Sequence, residues 1–256
     1  QSRCMNISTQ DKRIGIARVI NKSGKTSRSE AERLARAGRV TLNGITVYDP
    51  ETPTRSGDYI QVDGAPLTPL IPQVYMLHKP RGFVTTANDE QGRETVFQFL
   101  QDPGIPHLGP IGRLDKASEG LLLFTNDTTL ANALLDPQNG IPKVYHVQMK
   151  GHATPDMLHS LVMGVDCDGE LLRAVRAEEL RRGGQNTWLK IELREGRNRE
   201  IRRLLAAFGH ETLRLIRIAF GALQLGDLPR GKVRLLLPSE IIILRTTAGL
   251  VENPLA

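Results

Sequence analysis

The chain has 256 residues and a formal net charge of +6, with 39% hydrophobic and 24% charged residues, as is typical of one large globular domain or two unequal ones. Its two cysteines exclude a disulfide framework and a thiolate metal site, and its six histidines show no tight metal-ligand spacing. No apolar run approaches the roughly 20 residues of a membrane-spanning helix, and the first nine residues are polar, unlike a secretory signal. We therefore expect a cytoplasmic protein without a metal and without a membrane partner.

Positive charge is concentrated in two segments. Between Lys12 and Arg39 there are nine lysines and arginines against two glutamates, a net charge of +7. Between Arg194 and Arg217 there are seven arginines against three glutamates. Many proteins are mildly basic, so the total charge decides little, but two separate basic segments favour a protein that holds a folded nucleic acid at two points.

The N-terminal part of the sequence predicts two helices. Residues 1–10 are expected to form a disordered leader. A first helix is predicted from Arg13 onward, because apolar residues recur there with helical spacing. A second is predicted over Arg28–Ala37, where Ser27 followed by Glu30 forms a capping box.

A small sheet is predicted to follow these helices, with short strands at 39–42, 45–48 and 58–63. The Asn43-Gly44 pair predicts the turn of a hairpin between the first two strands. Residues 11–64 therefore form a predicted small domain. Residues 65–73 contain three prolines, which predicts a stiff linker.

Residues 74–248 are predicted to form a second domain, followed by a flexible tail at 249–256. Its predicted strands are 74–79, 121–126, 144–151, 188–195 and 234–238, and its predicted helices are 95–100, 129–136 and 199–209. Strands outnumber helices and do not alternate regularly with them. This pattern predicts an α+β fold with a mixed, largely antiparallel sheet flanked by helices.

One segment of the second domain stands out chemically. Asp115 lies between glycine turns in residues 112–120 (GRLDKASEG), directly before an apolar strand. Burial disfavours an ionised carboxylate unless a cation pairs with it, and the arginines of residues 195–203 (EGRNREIRR) could supply that cation. The residues alone leave two interpretations open, a functional carboxylate and an ordinary loop with a surface ion pair.

Residues 112–127 (GRLDKASEGLLLFTND) resemble the active-site motif of pseudouridine synthases of the RsuA type, which modify bacterial ribosomal RNA. Three further segments resemble the family's other motifs in the family's order: 78–85 (HKPRGFVT), 143–147 (KVYHV) and 195–221 (EGRNREIRRLLAAFGHETLRLIRIAFG). The resemblance covers about residues 74–240. It implies the pseudouridine synthase fold and isomerisation of a uridine, without a cofactor because the reaction is redox-neutral. Ser118-Glu119 and Glu200 depart from the commoner Thr-Ser and Gln.

The resemblance also implies roles for six residues. Asp115 would be the catalytic carboxylate, either attacking the anomeric carbon or removing the ribose 2′ proton, and both routes remain open. Arg202 would pair with Asp115, and Tyr145 would stack on a flipped base and help to remove its C5 proton. The base pocket would also contain Ile201, Arg113 and Lys79; Arg113 would brace the loop or contact phosphate, and Lys79 would be mainly structural.

Residues 26–44 (TSRSEAERLARAGRVTLNG) resemble a small RNA-binding domain named after ribosomal protein S-four. Such a domain would grip RNA by its shape more than by its sequence. The predicted RNA-binding residues of the whole chain are Lys25, Arg28, Arg36, Arg39, Arg197 and Arg199.

The sequence thus predicts a monomeric ribosomal RNA pseudouridine synthase that acts on naked RNA or on a subunit precursor. Two alternatives remain. One is an RNA-binding ribosome-assembly factor in which catalysis is incidental or lost, and the other is a hydrolytic nucleoside cleaver that would release uracil. Neither the target uridine nor the ribosomal subunit follows from the sequence.

Overall fold

A computed structural model describes residues 14–23, 26–55, 57–68, 71–86 and 91–250. The chain forms two compact units that divide between Pro72 and Gln73, with residues 106–108 grouped with the first unit. Each unit has its own hydrophobic core, in the first between two helices and a small sheet and in the second against a large sheet. The predicted leader at 1–10 lies outside the described residues.

The first unit contains two helices and six short strands. They are β1 (Ile14–Gly15), α1 (Ile16–Lys22), α2 (Arg28–Arg36), β2 (Val40–Leu42), β3 (Ile45–Val47), β4 (Pro53–Thr54), β5 (Ile60–Val62) and β6 (Ala65–Pro66). Four strands form one antiparallel sheet in the order β3-β2-β5-β6, and β1 pairs with β4. The capping box is present, since the Ser27 hydroxyl accepts a hydrogen bond from the Glu30 amide at 3.2 Å.

Two details of the first unit differ from the predictions. Ile14 was predicted to lie in the first helix, but it forms a strand because Ile14 and Gly15 pair with Thr54 and Pro53. Ala65 and Pro66 were predicted to begin the linker, but they pair with β5 as an edge strand, a position that tolerates proline. In both places a partner distant in sequence decides the conformation.

The second unit is built on a nine-stranded sheet. Its elements are β7 (Val74–Lys79), a 3₁₀ helix (Val96–Leu100), β8 (Gly109–Ile111), β9 (Glu119–Thr125), α3 (Thr128–Leu135), a 3₁₀ helix (Pro137–Asn139), β10 (Lys143–Lys150), α4 (Pro155–Met163), β11 (Val165–Cys167), β12 (Glu170–Leu172), β13 (Arg176–Arg182), β14 (Asn186–Leu193), α5 (Glu200–Ala207), β15 (Thr212–Phe220), β16 (Leu223–Gln224), β17 (Val233–Leu235) and α6 (Pro238–Thr247). The strand order is β13-β14-β10-β15-β9-β7-β17; β8 pairs with β9, and β16 with β15. Among the described strands of this sheet, only β9 and β15 pair in parallel, which confirms the predicted mixed, largely antiparallel sheet.

Strand β9 lies near the centre of this sheet and positions the candidate site. All seven of its residues are buried, and burying each large apolar side chain of its Leu-Leu-Leu-Phe run contributes about 1.5–3 kcal/mol. The core continues from Leu121 and Leu123 to Leu130 of α3 and Leu244 of α6. Because β9 is held on both sides, the loop that precedes it begins from a rigid support.

The segment directly after α6 differs from the prediction. Leu250 was placed in a flexible tail, but it packs against the core and its amide donates to the Arg245 carbonyl at 2.9 Å. Residues 251–256 lie outside the described part of the chain. Across the described ranges, the structure contains no helix long and apolar enough to span a bilayer.

Candidate active site

Asp115 lies in the loop between β8 and β9, and the backbone of this loop is fixed by several hydrogen bonds. The Asp115 carbonyl accepts from the Ser118 amide at 2.9 Å, which closes a turn. The Thr85 hydroxyl donates to the Leu114 carbonyl at 2.9 Å and accepts from the Leu114 amide at 3.3 Å. The segment before β9 is therefore tied to the segment after β7.

Lys79 also fixes the backbone of this loop. It is fully buried, and its Nζ donates to the carbonyls of Ser118 at 2.8 Å, Asp115 at 3.1 Å and Pro80 at 3.1 Å. Desolvation lowers the pKa of this amine to about 8, and the nearby Asp115 and Glu119 oppose the shift. Lys79 was predicted to lie in the base pocket with a mainly structural role; it does not line the cavity, and its hydrogen bonds hold the backbone of the Asp115 loop.

The Asp115 side chain lies in the wall of a cavity of about 800 Å³. Ligand pockets typically have volumes of roughly 300–1,000 Å³. The lining comes from the Asp115 loop, the start of β10, the segment before α5 and strand β15; it includes Arg113, Asp115, Lys143, Tyr145, Arg197, Arg199, Glu200, Ile201, Arg217 and Phe220. The structure thus brings together residues that are up to about a hundred positions apart in the sequence.

Arg199 is the cation that faces Asp115. Its Nη1 lies 3.9 Å from Asp115 Oδ2, with both side chains roughly half exposed. Arg199 is the N-cap residue of α5 and has a left-handed backbone, with φ at 50°. The sequence had placed Arg199 among RNA-binding residues, whereas the structure places it beside the carboxylate.

Arg202 was predicted to pair with Asp115; in the structure the charge of Asp115 acts on Arg202, but the side chain forms no ion pair with Asp115 within 4 Å and bonds to backbone carbonyls. Its Nη1 donates to the Thr212 carbonyl and its Nη2 to the Ala117 carbonyl, both at 3.2 Å. Burial lowers the pKa of this guanidinium, and the positive charge of Arg199 lowers it further. Arg202 therefore joins α5 to β15 and to the Asp115 loop through backbone groups.

The remaining predicted pocket residues line the cavity as expected. Tyr145 and Ile201 are buried, and Arg113 is exposed. Tyr145 lies on β10 directly opposite Arg217 of β15.

The position of Asp115 in the cavity indicates a reaction that uses a carboxylate. Comparison with known proteins identifies the class of enzyme. Residues 73–207, more than half of the chain, match the family model described as RNA pseudouridylate synthase. The chain belongs to the RNA pseudouridylate synthase family. Residues 15–60 match the model of the S4 domain, so the predicted combination of an RNA-binding domain and an isomerase domain is confirmed.

The sequences of similar proteins match this chain along nearly its whole length. The chain is 35% identical over 241 residues to the ribosomal large subunit pseudouridine synthase B of Bacillus subtilis, covering 93% of this chain and 98% of that protein. It is 36% identical over 249 residues to an uncharacterized RNA pseudouridine synthase of Aquifex aeolicus, covering 94% and 97% of the two chains. A crystal structure of a pseudouridylate synthase matches with a TM-score of 0.62 and 27% identity, covering 90% of this chain and 99% of that one.

Two functional candidates in this pseudouridylate synthase were missed by sequence reasoning, Lys143 and Arg217. Arg217 is 4% exposed and occupies an inward-facing position of β15, between the buried Leu215 and Ala219. A charged residue at an inward-facing position of an alternating strand is the signal that could have identified it. Burial and the charge of Arg217 lower the pKa of Lys143, whose Nζ donates to the Arg194 carbonyl at 3.2 Å.

The two departures from the family motif have structural partners. Glu119 is buried and accepts two hydrogen bonds from Arg214, both at 3.0 Å, and Arg230 lies 3.5 Å away. Burial alone would raise the pKa of Glu119, but the bonds with Arg214 and the charge of Arg230 lower it overall. Glu200 is also buried and accepts from the Arg197 amide at 3.2 Å; burial raises its pKa.

The other predicted RNA-binding arginines form ion pairs. Arg28 and Arg36 pair with Glu32 at 3.2 and 3.5 Å, and Nε and Nη2 of Arg39 contact Asp63 at 2.6 Å. Arg197 pairs with Glu170 at 2.6 Å and also with Glu195. Lys25 lies outside the described residues. The basic surface predicted from the sequence is therefore partly neutralised by neighbouring acids.

Proposed function

We propose that this enzyme isomerises a uridine in the RNA of the large ribosomal subunit, with Asp115 as the essential carboxylate. The position of Asp115 supports its role, because the carboxylate lies in a nucleotide-sized cavity together with Tyr145, with a guanidinium 3.9 Å away. The substrate is suggested by the Bacillus subtilis relative, whose name specifies the large subunit and which is similar over 98% of its length.

The target uridine would be flipped out of the RNA to enter the cavity, where it would stack on Tyr145. Asp115 would then attack the anomeric carbon, as in retaining glycosidases, or remove the ribose 2′ proton. Either route separates the base at N1 and allows it to rejoin the ribose through C5. Arg199 would orient the Asp115 carboxylate, and Lys79 would hold its loop in place.

The first unit would supply additional grip on the RNA, through arginines such as Arg28, Arg36 and Arg39. It would act on the RNA backbone, where contacts provide affinity but little sequence information. We propose that the protein acts in the cytoplasm, as a monomer, on naked RNA or on a subunit precursor. Residues 11–64 and 74–248 are proposed as the RNA-binding and catalytic domains.

The test uses unmodified transcripts of large-subunit and small-subunit ribosomal RNA that carry tritium at uridine C5. Formation of the new carbon bond replaces the C5 hydrogen, so we expect wild-type protein to release tritium from the large-subunit transcript without releasing uracil. Asp115→Asn keeps the shape of the side chain and should release none. Equal release by Asp115→Asn would contradict the role of Asp115, and release from the small-subunit transcript alone would contradict the proposed substrate.

A further inference from the structure

Arg217 is a buried cation in the wall of the active-site cavity with unused hydrogen-bonding capacity. Its Nε donates to the Leu121 carbonyl at 2.7 Å. Its Nη2 is buried and has no hydrogen-bond partner in the part of the chain that the structure describes. Buried polar groups are nearly always hydrogen-bonded, so this N–H group of Arg217 is available to an acceptor on a bound ligand.

The charge of Arg217 is also unmatched. No carboxylate of the described residues lies within 4 Å of its guanidinium, which instead lies over the Phe220 ring at 5.5 Å. The Lys143 ammonium lies over the same ring at 5.7 Å. Two cations therefore lie in one region of the cavity. The charge of Glu200 acts on Lys143, whereas Arg217 has no carboxylate within 4 Å among the residues that the structure describes, which favours an electron-rich group of the substrate beside Arg217.

The depth of Arg217 distinguishes between the electron-rich groups of an RNA. Arg197 and Arg199, which also line the cavity, have side chains that are 42% and 53% exposed, whereas Arg217 is 4% exposed. A flipped nucleotide enters a pocket with its base leading and its phosphates near the surface. The exposed arginines are thus placed for phosphates, and Arg217 for an oxygen of the base.

The sheet register places Arg217 beside Tyr145. Tyr145 and Arg217 are directly opposed on antiparallel strands, and opposed residues project from the same face of a sheet with Cβ atoms about 4.5–5.5 Å apart. A base that stacks on the Tyr145 ring would therefore present its edge to the Arg217 guanidinium. Uracil carries two carbonyl oxygens on its edges.

We propose that Arg217 donates a hydrogen bond to a carbonyl oxygen of the flipped uracil and stabilises the base while it is detached from the ribose. This inference rests on the proposed function. When the N1–C1′ bond breaks, its electron pair stays with the base, whose negative charge is delocalised over N1 and the carbonyl oxygens. When the C5–C1′ bond forms, C5 releases a proton and N1 takes one up, so no net charge or electron is gained. A fixed buried guanidinium stabilises that transient charge more than water would.

The test measures how the loss of Arg217 changes the sensitivity of the enzyme to the carbonyl oxygens. Large-subunit transcripts are prepared with uridine, 2-thiouridine or 4-thiouridine, because sulfur is a weaker hydrogen-bond acceptor than oxygen. Each is incubated with excess enzyme, and the isomerised nucleoside is measured by chromatography with mass detection. For the wild type we expect one of the two thio substitutions to slow the reaction about tenfold. For Arg217→Met we expect a reaction at least tenfold slower on the uridine transcript, with that thio penalty lost, and for Arg217→Lys an intermediate rate.

Arg181→Met provides a control, because Arg181 lies on β13 of the same sheet, is exposed and does not line this cavity. It should retain the full thio penalty, and RNA affinity and thermal stability should be measured for every variant. An equal thio penalty in wild type and Arg217→Met would overturn the proposal. So would a loss of RNA affinity with a shallower salt dependence, which would assign Arg217 to a phosphate. Wild-type protein that isomerises no transcript would instead contradict the proposed function.

Discussion

The Arg199 guanidinium lies 3.9 Å from the Asp115 carboxylate, and it reaches this position from a left-handed backbone conformation. A residue other than glycine held in this conformation costs about 1–3 kcal/mol. The strained residue is thus the one that contacts the proposed catalytic carboxylate. Strain of this kind is characteristic of sites where the orientation of a side chain matters more than stability.

Substitutions of Arg199 should separate these two effects. In Arg199→Gly the strain is relieved and the cation is lost, so we expect a free energy of unfolding equal to or up to about 1 kcal/mol above that of the wild type, with a rate reduced roughly tenfold or more. Arg199→Met should show the same reduction in rate, without an increase in the free energy of unfolding. Urea unfolding and single-turnover tritium release measure the two quantities. Wild-type rates in both variants would show that Asp115 does not need this cation.

We expect the rate to depend on pH through the charge of Lys79. Above a pH of about 8 the buried amine loses its charge, and a neutral amine has only two N–H groups for three carbonyl acceptors. We expect the rate to fall between pH 8 and 9 as the Asp115 loop loosens. Because the pKa of Lys79 is lower in the folded protein than in the unfolded chain, its deprotonation raises the free energy of unfolding across this interval.

The rate should therefore fall without a loss of folded protein, which circular dichroism at each pH would verify. Lys79→Met should be slow at every pH and should lack this alkaline decline. A decline of the same shape in Lys79→Met would assign the titration to another group.

We expect Glu119 to stabilise the folded protein at neutral pH and to lose this effect in acid. Its pKa is lowered in the folded protein, so the stabilisation is present above its unfolded pKa and is lost as the pH falls through the folded value. Glu119→Gln should lower the free energy of unfolding by about 1–3 kcal/mol at pH 7, and by less below pH 4. Trp188, the single tryptophan, lies 5.7 Å from the Arg214 guanidinium and provides the fluorescence signal.

Glu211→Gln is the matched control, since Glu211 is exposed and forms no ion pair within 4 Å in the described ranges. It should change stability little at either pH. A difference between wild type and Glu119→Gln that stays constant as the pH falls well below 4 would contradict the proposed linkage.

We expect Asp63 to weaken the binding of RNA by the first unit. Its carboxylate accepts hydrogen bonds from Nε and Nη2 of Arg39, both at 2.6 Å, which neutralises a cation that the sequence assigns to RNA binding. Asp63→Asn should raise affinity for ribosomal RNA roughly two- to fivefold at low salt, with a steeper salt dependence. Binding titrations at several salt concentrations would measure this, and Arg39→Ala made in the Asp63→Asn background should reverse the gain. If Arg39→Ala leaves that gain intact, Arg39 does not contact the RNA.

Local patterns predicted much of this molecule, and the errors arise where distant segments meet. The Ser27 capping box and the buried run of β9 are properties of neighbouring residues, and both are present. The conformation of Ile14 is decided by pairing with Thr54, forty positions away, which no local pattern records.

The same distinction applies to the active site. The motif identified Asp115 and placed several arginines near it, but it could not show which guanidinium faces the carboxylate. That choice depends on the left-handed start of α5, which directs Arg199 to Asp115 and leaves Arg202 bonded to the carbonyls of Ala117 and Thr212. The inward-facing position of Arg217 could have been read from the alternation of its strand, but its place opposite Tyr145 follows only from the sheet register.

Gly120 connects these parts of the site through the backbone alone. It pairs with Arg217 across the parallel strands β9 and β15, and a Cβ atom at this position would lie 2.2 Å from the Arg217 carbonyl oxygen. The spacing between the Asp115 loop and Arg217 is therefore set by two main chains in direct contact, without an intervening side chain. Replacing this glycine by any other residue would therefore force the two strands, and with them the two halves of the active site, apart.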